Sequence, residues 1–484
     1  MGDSTVIKKH WPAVGILVAY LIVGTFFAAL TPRWQVPDEP AHYNYIAALA
    51  QGKGFPVMEA RDYDQKYLER LTAERFPPSL PTDSLAYEDH QPPLYYLLAT
   101  PIFLIFNGAL LPLRLFSLLL GGVIVALTMA LAHEVLPHSP GIAWLAGGFV
   151  AFLPQHLAMM AGVNNDSLTE ALLALWLLLA LRYLRGKVSP YVLGVVLGAL
   201  LITKTTGYVA LPLAVLVVAL RWRRGGFSWR WALTQLLQIL IPGLALGSLW
   251  WIRNLLTYGW PDFLGLHRHD LVVVGQPRTA DWIARQGLWP FLRGALRTTF
   301  QSFWGQFGWM GVVLDARIYL GAGIFTALAL WGALWLGVRV AKEGLEPRQR
   351  DALILLGASA LITLALPIWY NLTYVQHQAR YLFPALPIFA LVAALGLRRL
   401  AEVRLAVLTG LGLIVVVLLV GGMGWLRGDL PLWTMALLGA AAIAVWIAGA
   451  LPNGRKTLAG GVLMLAFIAL DFWCLFGFIV PMLG

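Results

Sequence analysis

Charge is what this sequence has least of. Asp, Glu, Lys and Arg together make up 12% of its 484 residues, about half of what a soluble globular chain carries. That scarcity, with 59% hydrophobic residues, excludes an ordinary soluble enzyme. Cysteine is nearly absent. The one thiol, Cys474, excludes an internal disulfide framework. A concentrated basic patch is also missing. The net charge of +11 comes from short Lys/Arg clusters scattered between apolar runs, which speaks against nucleic acid as a partner and for a membrane topology. No internal repeat and no separate soluble domain stand out.

What is present is a series of apolar runs, near 11–30, 111–133, 142–161, 166–184, 189–203, 206–221, 231–251, 319–340, 352–370, 381–397, 404–422, 431–450 and 457–480. They predict an all-α polytopic membrane protein with about 13 transmembrane helices. The first run, preceded by Lys8 and Lys9, reads as an uncleaved signal anchor. The segment 92–106 is short and opens on two prolines, so it is expected to lie at the interface rather than to span. With that choice 18 basic residues fall on one side, including Arg182, Arg185, Arg223, Arg224, Arg348, Arg398 and Arg399. Only Lys204, Arg380 and Arg427 fall in short loops on the other. The positive-inside rule then places the N-terminus in the cytoplasm of a plasma-membrane protein and turns two long loops, about 31–110 and 252–318, outward. Both are expected to carry interfacial helices, with His42–Ala50 laying Tyr45, Ile46 and Leu49 on the bilayer. The runs beyond about 401 carry few polar groups and read as scaffold to a catalytic module over 1–400.

Non-basic polar residues collect on the predicted outer side. Trp34-Gln35-Val36-Pro37-Asp38-Glu39-Pro40-Ala41-His42 follows the first run, its acidic pair bracketed by prolines that exclude a helix interior. Glu88-Asp89-His90 precedes Gln91-Pro92-Pro93. Asn164-Asn165-Asp166-Ser167 follows the third run, Lys204 the fifth and Arg253-Asn254 the seventh, while Gln376-His377-Gln378-Ala379-Arg380-Tyr381 precedes the tenth. Each has a plainer reading. Asp166 is a natural helix cap with Glu170 one turn on, Arg380 a snorkelling side chain, Lys204 a loop lysine and His90 a cap. Asp471, an isolated acid in the last run, is expected to hold a structural hydrogen bond. Asp38 and Glu39 resist such readings best. A partly desolvated carboxylate at a membrane boundary suits a general base, and with Asp166 it equally suits a ligand set for a divalent metal such as Mg or Mn. Arg380, Lys204 and Arg253 suit a phosphate group.

The pattern resembles the GT-C superfamily of polytopic membrane glycosyltransferases, in the branch of the protein O-mannosyltransferases and aminoarabinose transferases. The likeness runs over about 11–385. It rests on Pro37-Asp38-Glu39, His90-Gln91-Pro92-Pro93-Leu94-Tyr95-Tyr96, Leu113-Arg114-Leu115-Phe116-Ser117, Asn164-Asn165-Asp166, Leu201-Ile202-Thr203-Lys204, Trp251-Ile252-Arg253-Asn254 and Ala379-Arg380-Tyr381-Leu382-Phe383-Pro384. Ser302-Phe303-Trp304-Gly305 and Phe307-Gly308-Trp309, with 37–42, resemble a further bacterial group of the superfamily, which leaves the substrate open. The resemblance implies an inverting transfer of a sugar from a polyprenyl-phosphate donor to a lipid, glycan or protein acceptor on the extracytoplasmic face. Carried over, Asp38 is the base or metal-site carboxylate, Glu39 its companion and Asp166 the second acid. Arg380 contacts the donor phosphate with Lys204, His90 or Arg253 assisting, and His42, Asn165, His377 and Tyr381 are further site candidates. The chain lacks the large soluble C-terminal domain and the Trp-Trp-Asp-Tyr-Gly motif of oligosaccharyltransferase catalytic subunits, which disfavours a peptide acceptor of that kind. The rival class is a transporter or flippase of lipid-linked saccharide. It is disfavoured because the charges gather at one surface rather than at the midplane of repeated halves. The oligomeric state is open.

Overall fold

The computed structural model describes residues 3–452 and 455–484; the side chains of residues 3–10, Lys8 and Lys9 among them, lie outside the described residues. The chain opens with α1 (Asp3–Leu30) and bends through 31–38 into α2 (Glu39–Ala50), α3 (Gln65–Ala73) and α4 (Leu94–Ile105). The long α5 (Leu110–Val135) is followed by α6 (Pro140–Ala151) and α7 (Pro154–Met160), which meet at 65°. Pro154 lacks the N–H that would carry the helix on, so the break falls where α7 begins. Next come α8 (Asp166–Tyr183), α9 (Pro190–Leu201), a 3-10 turn over Thr205–Val209, α10 (Ala210–Gly225) and α11 (Trp229–Tyr258). A second long connection holds α12 (Leu266–Val272), α13 (Thr279–Gln286), α14 (Leu288–Trp304) and a hairpin of β1 (Gln306–Phe307) with β2 (Val312–Val313), Gln306 facing Val313. The chain closes with α15 (Ala316–Glu343), α16 (Pro347–Tyr370), a 3-10 turn over Ala379–Ala385, α17 (Leu386–Leu400), α18 (Val403–Arg427), α19 (Leu432–Ala450), α20 (Lys456–Cys474) and α21 (Val480–Leu483).

All thirteen apolar runs are helical. Ten helices among the described residues are long and apolar enough to cross a bilayer, eleven with α6–α7 as one bent span. The expected thirteen spans are not reproduced. α8 carries Asp166, Glu170 and Arg182 in 18 residues, and α9 has 12 residues, roughly 18 Å at ~1.5 Å per residue, against a hydrocarbon core of about 30 Å. α4, with 12 residues, is likewise too short to cross, as expected for 92–106. The chain is an all-α, multi-pass membrane protein.

Packing follows membrane rules, with small residues where backbones meet. A Cβ on Gly332 would sit 2.0 Å from the carbonyl oxygen of Gly396, so α15 and α17 touch backbone to backbone. α5 packs on α1, α6 and α8, and α9 on α11. α18 packs on α19, whereas α20 returns to α6 and α7.

Two expectations are corrected, for α2 and for Asp471, and one is filled in. α2 does not lie on the bilayer: Tyr45 and Ile46 are fully buried, with Tyr45 stacked on Tyr96 of α4 at 3.7 Å between ring centres. The two long connections, expected as two loops, pack on one another. Met58, Leu71, Leu85 and Tyr87 of the first share a core with Val272 and Val273 of the second. Asp471 has no structural hydrogen bond: it is buried in α20, and neither carboxylate oxygen has a partner among the described residues.

Candidate active site

The bend between α1 and α2 is built from unusual backbone. Trp34 and Asp38 both adopt left-handed conformations, with φ of 67° and 65°. Asp tolerates that region, but a bulky Trp does not, and each such residue costs on the order of 1–3 kcal/mol. The bend is held from several sides. The Glu39 amide donates to the Val36 carbonyl at 3.2 Å, and the Trp309 indole donates to the Trp34 carbonyl at 2.9 Å. Val36 lies so close to Gly162 that a Cβ there would fall 2.4 Å from Val36 Cγ1.

Glu39 supplies the strongest clamp. Its side chain is fully buried against the equally buried Arg114 of α5. Arg114 Nε donates to Oε1 at 2.7 Å and Nη2 to Oε2 at 2.6 Å, a two-pronged pair. The amides of Trp34 and Val163 donate to the same carboxylate at 3.1 and 3.2 Å. The rest of the guanidinium binds the carbonyls of Ala28, Thr31 and Pro32. Glu39 was expected beside Asp38 as a catalytic carboxylate. It is instead closed off, with both oxygens saturated, and ties the end of α1 to α5 and to the turn before α8.

Asp38 points the other way. Its Oδ2 pairs with Arg380 Nη2 at 2.6 Å, and its Oδ1 accepts the Tyr87 hydroxyl at 2.9 Å. Burial pushes the Asp38 carboxyl up. Arg380, His42 and the hydrogen bonds from Arg380 and Tyr87 more than offset this and hold it below the usual carboxylate range. A second pair faces the first: Lys204 Nζ reaches Asp166 Oδ1 at 2.7 Å, both side chains largely buried. Burial draws the Lys204 ammonium down, but Asp166 and Glu88 reverse the shift and raise it. Neither Asp166 nor Lys204 is therefore merely a cap or a loop residue, and Arg380 does not snorkel. His42 stands among these charges, its Nδ1 at 2.9 Å from the Tyr96 hydroxyl. Burial lowers its pKa despite the surrounding Glu88, Asp38 and Asp166. Asn165, fully buried, reaches the same hydroxyl at 3.4 Å, and its Oδ1 has no partner. Asp38, His42, Asn165, Asp166, Lys204, Arg380 and Tyr381 thus come together, Tyr381 lying under the Arg380 guanidinium at 5.2 Å.

The other expected residues do not join them. His90 is buried, bound through Nδ1 to the Tyr87 carbonyl and packed at 4.6 Å on His269. Burial and His269 hold it well below the usual histidine range. Arg253 donates to the carbonyls of Phe55 and Pro56 and lies over Trp250 at 4.6 Å, which ties the first connection to α11. His377 packs on Phe291, 5.0 Å between ring centres, with Nε2 unpartnered.

Tyr87 was not foreseen. Glu88, Tyr96 and Arg114 stand in the polar cluster and the motifs noted in the sequence but had no role assigned to them, although Arg114 carried a signal, an arginine inside an apolar run.

As arranged, the site makes no divalent-ion cage. Asp38 and Asp166 each commit an oxygen to a cation at 2.6–2.7 Å. Among the described residues no three His, Cys, Asp or Glu side chains gather at metal-ligand spacing. The expected metal on Asp38 and Asp166 would compete with Arg380 and Lys204 for these oxygens.

Residues 90–251 match the family model described as dolichyl-phosphate-mannose-protein mannosyltransferase. The matched stretch includes Arg114, Asn165, Asp166 and Lys204. It bears out the resemblance to polytopic GT-C membrane glycosyltransferases. No curated protein sequence matches the chain. Among solved structures, ArnT from Cupriavidus metallidurans in the apo state is 18% identical with a TM-score of 0.49, over 98% of this chain and 77% of that one. ArnT from the same organism bound to undecaprenyl phosphate is 17% identical with a TM-score of 0.45, over 100% and 74%. The archaeal oligosaccharyltransferase AglB from Archaeoglobus fulgidus, in complex with an inhibitory peptide and a dolichol-phosphate, is 15% identical with a TM-score of 0.42, over 94% and 56%.

Proposed function

We propose that this chain transfers a sugar from a polyprenyl-phosphate donor to a hydroxyl or amine of a lipid, glycan or protein acceptor, with inversion, on the extracytoplasmic face of the plasma membrane. One observation carries the reading: two ion pairs, Asp38–Arg380 and Asp166–Lys204, face each other around His42 at the ends of apolar helices. Neither the carboxylates nor the cations alone would make a group-transfer site. Together they orient two cations toward the phosphate of a donor whose lipid tail stays in the bilayer. Negative charge grows on that phosphate as the sugar leaves, and Arg380 and Lys204 stabilise it where it develops. Asp38 and Asp166 fix the direction of the two cations. An acceptor attacking from the face opposite the phosphate gives inversion. The family description of the matched stretch supports a polyprenyl phosphate as leaving group.

The sidedness draws support from the other ends of the helices. There Arg182, Arg185 and Arg348 surround Glu134, and Arg224 pairs with Asp351. A basic rim of this kind belongs to the cytoplasmic surface. In this reading residues 1–400 form the catalytic module and 401–484 its scaffold.

The test is lipid and glycan profiling of membranes with and without the protein. Cells lacking it are expected to accumulate one polyprenyl-phosphate sugar and to lose one glycan. The intact chain restores the glycan, while Asp38→Asn inserts normally and does not. Unchanged profiles, or full restoration by Asp38→Asn, would overturn the reading.

A further inference from the structure

The two ion pairs bind and orient, but they leave the acceptor's proton unassigned. Asp38 is poorly placed to take it. One oxygen is held by Arg380 and the other by the Tyr87 hydroxyl. A carboxylate stabilised as an anion on both oxygens is a weak base. Asp166 is tied to Lys204, and Glu39 is sealed against Arg114.

A third carboxylate belongs to the same group. Glu88 follows Tyr87, whose hydroxyl binds Asp38, and precedes Gln91, whose side-chain oxygen lies 3.5 Å from Asn165 Nδ2. Two successive turns fix it there: the Asp89 amide donates to the Ala86 carbonyl at 3.0 Å, and the Gln91 amide to the Glu88 carbonyl at 2.9 Å. Glu88 therefore sits between residues that touch the two halves of the site. Its negative charge bears on His42, Lys204, Tyr87, Tyr96, Asp89 and Tyr370. Yet among the described residues no Lys, Arg or His nitrogen pairs with it, and its Oε2 is buried without any hydrogen-bond partner. A carboxylate with a structural duty would be bonded, because an unsatisfied buried acceptor costs on the order of 1–3 kcal/mol. Such a group, half-buried at the edge of a charged cluster, is kept for something that arrives.

We propose that Glu88 is the general base of the transfer and contacts the nucleophilic atom of the acceptor. The proposal rests on the glycosyl-transfer reading above. In the step, the acceptor oxygen or nitrogen forms a bond to the anomeric carbon, and the bond from that carbon to the phosphate oxygen breaks. The electron pair of that bond stays on the phosphate, which passes from monoanion to dianion between Arg380 and Lys204. The acceptor's proton moves to the Glu88 carboxylate, which becomes neutral. One negative charge thus shifts from Glu88 to the phosphate, toward the cations. Asp38 stays ionised throughout, as the counter-charge of Arg380.

The test uses the whole protein in vesicles with the donor lipid extracted from membranes that lack it, and polyprenyl phosphate alone as the binding probe. Glu88→Gln is expected to cut the transfer rate by about 10²–10⁴, the range of general-base catalysis. It should bind polyprenyl phosphate within about twofold of the intact protein, since it touches neither cation. Glu88→Asp recovers part of the rate. Asp38→Asn differs in weakening polyprenyl phosphate binding as well as transfer, because Arg380 loses the partner that orients it. Wild-type transfer with an equally active Glu88→Gln overturns the role of Glu88 alone. So does a Glu88→Gln protein that loses lipid binding and thermal stability together, since that is a structural defect. Binding of polyprenyl phosphate by the wild-type protein with no transfer overturns the glycosyl-transfer reading, and the base with it.

Discussion

Asp38 and Glu39 are neighbours in sequence and opposites in structure. Each meets an arginine at 2.6 Å. Around Glu39 every polar atom is satisfied: two guanidinium prongs, two amides, and three carbonyls on the far side of Arg114. Around Asp38 the network stays open. Among the described residues Arg380 keeps an Nε with no partner, Asn165 keeps an unpartnered Oδ1, and Glu88 has no cation. A closed network gives rigidity, and an open one leaves free energy for a ligand to supply. The left-handed backbone at Asp38 makes this division possible, because it turns consecutive side chains to opposite sides of one bend. The closed pair anchors the strained loop, and the open pair faces the chemistry.

The comparison breaks first at Arg114. Removing one partner of a buried pair leaves the other uncompensated, at about 3–5 kcal/mol. Arg114→Ala is therefore expected to destabilise the detergent-solubilised protein by that amount in thermal unfolding. Transfer is lost because the protein unfolds. A stable Arg114→Ala protein with normal activity would show that the closed pair anchors nothing.

Much of this was legible in the sequence, and the limits have physical causes. The apolar runs announced every long helix, since burial in lipid demands them. Prolines 37 and 40 announced the bend. Asp38, Asp166, Lys204 and Arg380 were recognisable because charged residues at helix ends on one side of a membrane are few. Asp38 was the preferred carboxylate of the pair, but what closes Glu39 off was not legible. The answer depends on Arg114, 75 residues away, and on a φ angle that sequence does not report. His90 and Arg253 were misread for a similar reason: His269, Phe55 and Pro56 reach them from distant parts of the chain. Tyr45 was assigned to the bilayer because its partner, Tyr96, lies in another short helix.

At the open pair a milder change sharpens the contrast. Arg380→Lys keeps the charge but removes the planar fork that can hold Asp38 and a phosphate at once. The KM for the donor is expected to rise about 10-fold, roughly 1.4 kcal/mol, from loss of bidentate geometry. Thermal stability should stay close to that of the intact protein, in contrast to Arg114→Ala. An Arg380→Lys protein with unchanged KM and a large loss of stability would make the second pair structural, like the first.

The smallest effect concerns the Tyr87 hydroxyl, which donates to Asp38 at 2.9 Å. Tyr87→Phe keeps the ring against Tyr63, 5.5 Å between centres, and removes only that bond, worth about 1 kcal/mol. Asp38 is held below the usual range, so it binds fewer protons folded than unfolded wherever the unfolded carboxylate titrates. Its contribution to stability is present above the unfolded pKa of about 3.9 and fades as the pH falls through the folded value. Tyr87→Phe lets the folded value rise toward the unfolded one and shrinks that contribution. The unfolding temperatures of wild-type and Tyr87→Phe should differ most above pH about 5 and converge as the pH falls below about 4. A gap of constant size across this range would mean that the hydroxyl serves only the packing of the loop. In that case the open character of Asp38 would rest on Arg380 and His42 alone.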